Sequence, residues 1–111
     1  MTVYERIRVE PISGALGAEI SGVDVAGELD AATIGEIRQA LLEHLVIFFR
    51  DQELSVARHK SFTRRFGDIF VHPNYQLGQE DKEMVYLLRR PGDTSVAGEK
   101  WHADTTMTAT P

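Results

Sequence analysis

The chain has 111 residues, 42% of them hydrophobic, and its 17 acidic against 12 basic side chains give a net charge of −5. That is the size and balance of one small domain with a mildly acidic surface, which argues against nucleic acid as a partner and leaves too little core for a large enzyme. Cysteine is absent, which excludes disulfides, thiolate metal sites and cysteine nucleophiles, so any metal must be held by histidine and carboxylate.

The opening segment YERIRVEPI, residues 4–12, sets Ile7 and Val9 against Arg6, Arg8 and Glu10. This is the alternation of a half-buried strand, which Pro11 interrupts. GAEISGVDV, residues 17–25, reads as a second short strand, with Gly14, Gly17 and Gly22 supplying the turns of a hairpin-like opening. From Asp30 the period becomes helical: Ile34, Ile37, Leu41 and Leu45 recur at steps of three and four, and Asp30 is suited to the N-cap.

The apolar run LVIFF, residues 45–49, predicts a strand buried on both faces and is far too short to cross a bilayer. The charged N-terminus does not resemble a signal peptide, and the expected location is cytoplasmic. Ser55 predicts the N-cap of a second helix with Val56, His59, Phe62 and Phe66 on one stripe, Arg64 and Arg65 in its last turn and Gly67 at C′. Both helices should pack on one sheet, an α+β arrangement.

Beyond Gly67 the segment DIFVHPNYQLGQEDKE lacks a helical period, and MVYLLRR, residues 84–90, predicts another strand. The polar loop PGDTSVAGEK, residues 91–100, has the length at which lids and mobile segments occur, and it runs directly into WHADTTM.

On a strand, His102 and Asp104 would face one side, and an imidazole nitrogen and a carboxylate oxygen could share a metal. A distant second histidine would complete the two-histidine, one-carboxylate triad of non-haem iron oxygenases. A chain of this composition carries roughly 0.25 such His-x-Asp pairs by chance, so spacing alone leaves a structural histidine or a surface pair as open alternatives. His72 and Tyr75, in HPNY, could offer an imidazole and a phenol to an anionic substrate, or could flank a turn set by Pro73 and Asn74. His44 and His59 fall on predicted helices, and no phosphate loop or nucleophile elbow is present.

In order, GAEISGVDV, HLVIFFRDQ, RRFGDI, HPNY and WHADTT resemble the N-terminal portion of the taurine dioxygenase family. These are Fe(II)- and 2-oxoglutarate-dependent enzymes that also include phenoxyacetate and alkylsulfate dioxygenases. The resemblance covers essentially the whole chain. It implies a single partial domain over residues 1–111, the beginning of a double-stranded β-helix (jelly roll). It further implies Fe(II) and O2 with 2-oxoglutarate as cosubstrate, His102 and Asp104 as iron ligands, and His72 and Tyr75 as contacts to a sulfonate.

Two positions depart from the taurine enzymes: Gly98 stands where they carry an asparagine near the substrate, and Met107 where they carry a phenylalanine. The implied substrate is therefore a small anion, a sulfonate such as taurine or an alkyl sulfate, rather than one compound. In the family the second iron-binding histidine and the arginine that pairs with 2-oxoglutarate come later than the position of Pro111. The expectation is thus the N-terminal part of an oxygenase, inactive by itself, with homo-oligomerisation of the full-length protein left open. The alternative is a non-catalytic fragment on the same scaffold that binds a small anion through His72 and Tyr75.

Overall fold

The computed structural model describes residues 2–73, 80–96, 98–104, 106 and 108–109. The chain divides into two compact units, Met1–Ile69 and Phe70–Pro111. The first carries the regular structure: β1 (Arg8–Pro11), β2 (Ala18–Ser21), α1 (Ala31–His44), β3 (Ile47–Phe49) and α2 (Val56–Arg64).

The predicted hairpin is present. β1 and β2 pair antiparallel with Val9 opposite Ile20, and Pro11 sits at the last position of its strand, where the missing N–H costs the ladder least. β3 joins β2 in parallel, Ile20 opposite Phe49, in the strand order β1-β2-β3. A parallel neighbour requires a crossover, and α1 is that crossover.

Burial of Ile7, Ile20, Ile37 and Ala40 forms the core, with Val9, Leu29, Ile47, Phe49, Phe62 and Phe66 packed around it. Each fully buried isoleucine contributes about 1.5–3 kcal/mol relative to exposure.

Asp30 caps α1, its carboxylate accepting the Thr33 N–H at 2.8 Å, and Ser55 caps α2 by accepting the Arg58 N–H at 3.2 Å. The buried stripe of α1 is Ile34, Ile37 and Ala40, not the expected Ile34, Ile37, Leu41 and Leu45. Ala40 lies three residues beyond Ile37 on the face centred against the sheet. Leu41 is rotated to its edge, and Leu45 leaves the helix as the C-cap with φ 67°.

β3 also departs from expectation. Its three residues are only part-buried, because it ends the strand order and pairs with β2 alone among the described residues. α2 stops at Arg64 with Arg65 as C-cap, so Gly67 falls one position beyond C′. It buries no residue fully and docks through aromatic edges: Phe62 meets Phe49 at 5.8 Å and 87°, and Phe66 at 5.2 Å.

Polar side chains stitch the irregular segments to this frame. The N–H groups of Glu5, Arg6 and Ile7, which precede the β1 ladder, donate to the Glu36 carboxylate at 3.1, 3.0 and 3.2 Å. Desolvation acts to raise the Glu36 pKa, but the three donors outweigh it and hold the carboxyl below its usual value. Gln52 accepts the Val25 N–H at 2.9 Å and donates to the Arg50 carbonyl at 3.0 Å. Arg65 donates to the Leu29 carbonyl at 2.7 Å, and Arg58 pairs with Glu28 at 3.3 Å. Gln52 of HLVIFFRDQ and Arg65 of RRFGDI therefore hold the 23–29 loop in place.

The second unit contains no α-helix or β-strand among its described residues. The strand expected over residues 84–90 does not form: Val85 to Leu88 are exposed and no ladder partner accompanies them among the described residues. Among the described residues no helix is long and apolar enough to cross a membrane.

Candidate functional site

The segment leading to His102 is built from turns. Arg90 donates its N–H to Asp93 Oδ2 at 2.7 Å, and Asp93 returns its N–H to the Arg90 carbonyl at 3.0 Å. Six residues later the construction repeats: the Val96 N–H donates to Glu99 Oε2 at 3.1 Å and the Glu99 N–H to the Val96 carbonyl at 3.3 Å. In both, the third residue is a glycine with positive φ, 93° at Gly92 and 82° at Gly98, a conformation that glycine adopts without steric cost. Pro91 suits the second position of the first turn.

His102 and Asp104 are not on a strand as expected; the chain bends at Trp101 and again at Asp104. The two side chains nevertheless come together, His102 Nε2 lying 3.0 Å from Asp104 Oδ1. The other ring nitrogen, Nδ1, lies 2.5 Å from the Lys100 carbonyl oxygen. A carbonyl only accepts, so Nδ1 carries the hydrogen and Nε2 of the neutral ring presents its lone pair. The Lys100 carbonyl first, and then the Asp104 charge, raise the His102 pKa.

A proton on Nε2 makes this contact an ion pair with Asp104; with the ring neutral, the lone pair and the carboxylate oxygen face one another as two donors to a shared cation. Two donors each about 2.1 Å from one divalent ion, at right angles, stand about 3.0 Å apart. The pair thus fits two positions of a metal's coordination shell, with a backbone carbonyl fixing the tautomer as metal-binding histidines require. The side chains are 52% and 87% exposed, leaving the pair accessible.

Among the described residues no group of three His, Cys, Asp or Glu side chains assembles to hold a metal, so His72 does not complete the pair. His72 is part-buried, its ring edge-on to Phe70 at 6.1 Å and 84°. Tyr75, the other expected substrate contact, lies outside the described residues, as does Met107. A cavity of about 340 Å³ belongs to the first unit, between residues 25–29 and α2, and none of these site residues line it. Two of its lining arginines, Arg58 and Arg65, bond to Glu28 and to the Leu29 carbonyl.

Sequence reasoning did not single out Lys100, whose backbone rather than side chain does the orienting, or the acids Asp93 and Glu99 that close the turns. The Gly-Asp and Gly-Glu pairs six residues apart were the available signal.

The described residues thus form a small α+β unit, and the second unit carries an exposed histidine-carboxylate pair. The chain belongs to the family described as taurine catabolism dioxygenase TauD, TfdA, which it matches over residues 8–111. It is 37% identical over 100 residues to an alpha-ketoglutarate-dependent sulfate ester dioxygenase of Pseudomonas putida, covering 89% of this chain and 32% of that protein. It is 33% identical over 104 residues to an alkylsulfatase of Acinetobacter baylyi, covering 93% and 32%. Among solved structures, a taurine dioxygenase from Burkholderia xenovorans superimposes with a TM-score of 0.60 at 40% identity, over 64% of this chain and 26% of that one. The chain spans about a third of the length of the curated relatives it matches.

Proposed function

We propose that these residues are the N-terminal part of an Fe(II)- and 2-oxoglutarate-dependent dioxygenase of jelly-roll fold that hydroxylates a small anionic substrate, a sulfonate such as taurine or an alkyl sulfate. The observation that carries this reading is the 3.0 Å approach of His102 Nε2 to Asp104 Oδ1 with Nδ1 committed to a backbone carbonyl. The family membership and the two sulfate-ester relatives support it.

Fe(II), when bound with 2-oxoglutarate, supplies the activation of O2 that an unactivated carbon needs for hydroxylation. His102 would give an imidazole lone pair and Asp104 a carboxylate oxygen; a histidine and a cosubstrate-binding arginine would come from sequence beyond residue 111. His72 and Tyr75 would donate hydrogen bonds to the oxygens of the sulfonate or sulfate. Hydroxylation at the carbon that bears the sulfur group gives a product that breaks down and releases the sulfur oxyanion.

Full-length protein supplied with Fe(II) and 2-oxoglutarate should form succinate in step with loss of a sulfonate or alkyl sulfate in a panel that also contains aryloxyacetates. Coupling to aryloxyacetates alone would reject the sulfur-anion assignment, and no coupled succinate with any of the three would reject the enzyme. The isolated 111 residues should bind iron weakly and show no turnover.

A further inference from the structure

His102 has an exposed imidazole with two free side-chain torsions, so something other than packing must aim it. The aiming contact is the bond from Nδ1–H to the Lys100 carbonyl, and the direction of that carbonyl is set by the backbone just before it. There the chain is clamped: Val96 and Glu99 exchange two hydrogen bonds, one backbone to backbone and one from the Val96 N–H to the Glu99 carboxylate. Such a reciprocal pair restrains more than either bond alone, for the same reason that a capping box does at a helix start. The turn also runs beside the ring, since a Cβ added at Gly98 would lie 3.7 Å from His102 Cε1.

We propose that the turn at residues 96–99, fastened by the Glu99 carboxylate, is the positioning element that fixes the orientation of the His102 imidazole, with Glu99 a positioning residue for metal binding. This rests on the reading of His102 as a ligand. Glu99 acts as a hydrogen-bond acceptor here, not as a charge. The matching turn closed by Asp93 has the same chemistry but leads to no ligand, and it supplies an internal control.

The test uses full-length protein with Co(II) as the metal probe and 15N NMR of the metal-free imidazole at a pH where the ring is neutral. Glu99→Ala should weaken Co(II) binding by roughly 10–100-fold, the effect typical of losing support behind a metal-binding histidine. It should also turn a single Nδ1–H tautomer into a mixture. Glu99→Gln keeps an oxygen that accepts the Val96 N–H and should stay close to wild type, as should Asp93→Ala.

Equal Co(II) affinity and an unchanged tautomer in Glu99→Ala would overturn the proposal. So would Glu99→Gln falling as far as alanine, since charge would then be the cause. A wild type that holds the Nδ1–H tautomer yet binds no Co(II) would instead overturn the ligand reading, and the proposal with it.

Discussion

The imidazole of His102 and the carboxylate of Asp104 face one another, Nε2 to Oδ1, at 3.0 Å, although the chain bends at Trp101 and at Asp104 and forms no strand there. The two groups therefore meet by a local bend and a carbonyl anchor, without help from a sheet. Both are exposed, so neither holds the fold together. In the full-length protein His102→Ala and Asp104→Ala should each abolish succinate formation while leaving the melting temperature unchanged. A coincident drop in melting temperature would reassign the pair to a structural role.

Truncating the core should have the opposite profile. Ile37 is fully buried between α1 and the sheet. Ile37→Ala should cost about 2–5 kcal/mol in urea denaturation, the usual range for deleting a buried aliphatic side chain. A loss under 1 kcal/mol would mean that the helix does not pack as described.

The Ser55 cap gives a smaller, local prediction. Its hydroxyl accepts the Arg58 N–H at 3.2 Å, and Ser55→Ala should destabilise by about 1 kcal/mol while Ser55→Asp remains near wild type. Equal losses in both variants would show that capping is not what the hydroxyl does.

Acid should loosen the N-terminal segment. The Glu36 pKa is lower in the folded state than in the unfolded chain, so its contribution is present at neutral pH and is lost as pH falls through the folded value. Protection of the Glu5, Arg6 and Ile7 amides, relative to their intrinsic exchange rates at each pH, should fall below the ordinary carboxylate range, and Glu36→Gln should flatten that dependence. Protection factors at those amides that do not change with pH would refute the cradle.

At the alkaline end the sign reverses. Burial first, and then the bond from the Tyr4 hydroxyl to Glu43 Oε2 at 2.7 Å, raise the Tyr4 pKa to about 12. A raised value means stability that is full below about 10 and lost as pH climbs towards about 12. Ultraviolet titration should show one late phenol, and Tyr4→Phe should remove it.

The hairpin, both N-caps and the existence of both helices were legible because each is written in local chemistry: alternation around Ile7 and Val9, Asp30 before one apolar period and Ser55 before another. The burial of β3 was not. Ile47, Phe48 and Phe49 are as apolar as a central strand, but the composition of a strand does not say how many neighbours it has. Residues 84–90 misled for a related reason, since an apolar run marks a strand only where a ladder partner exists. His102 and Asp104 were singled out through spacing and family resemblance, yet the strand expected to join them does not form, and the ring is instead oriented by the Lys100 carbonyl, a backbone group that no side-chain pattern reveals.

Equilibrium Fe(II) binding under anaerobic conditions tests the central claim most directly, comparing full-length wild type with His102→Ala and Asp104→Ala. One Fe(II) per wild-type chain, with binding lost in each variant, is the predicted result. Wild-type affinity in either variant would contradict it.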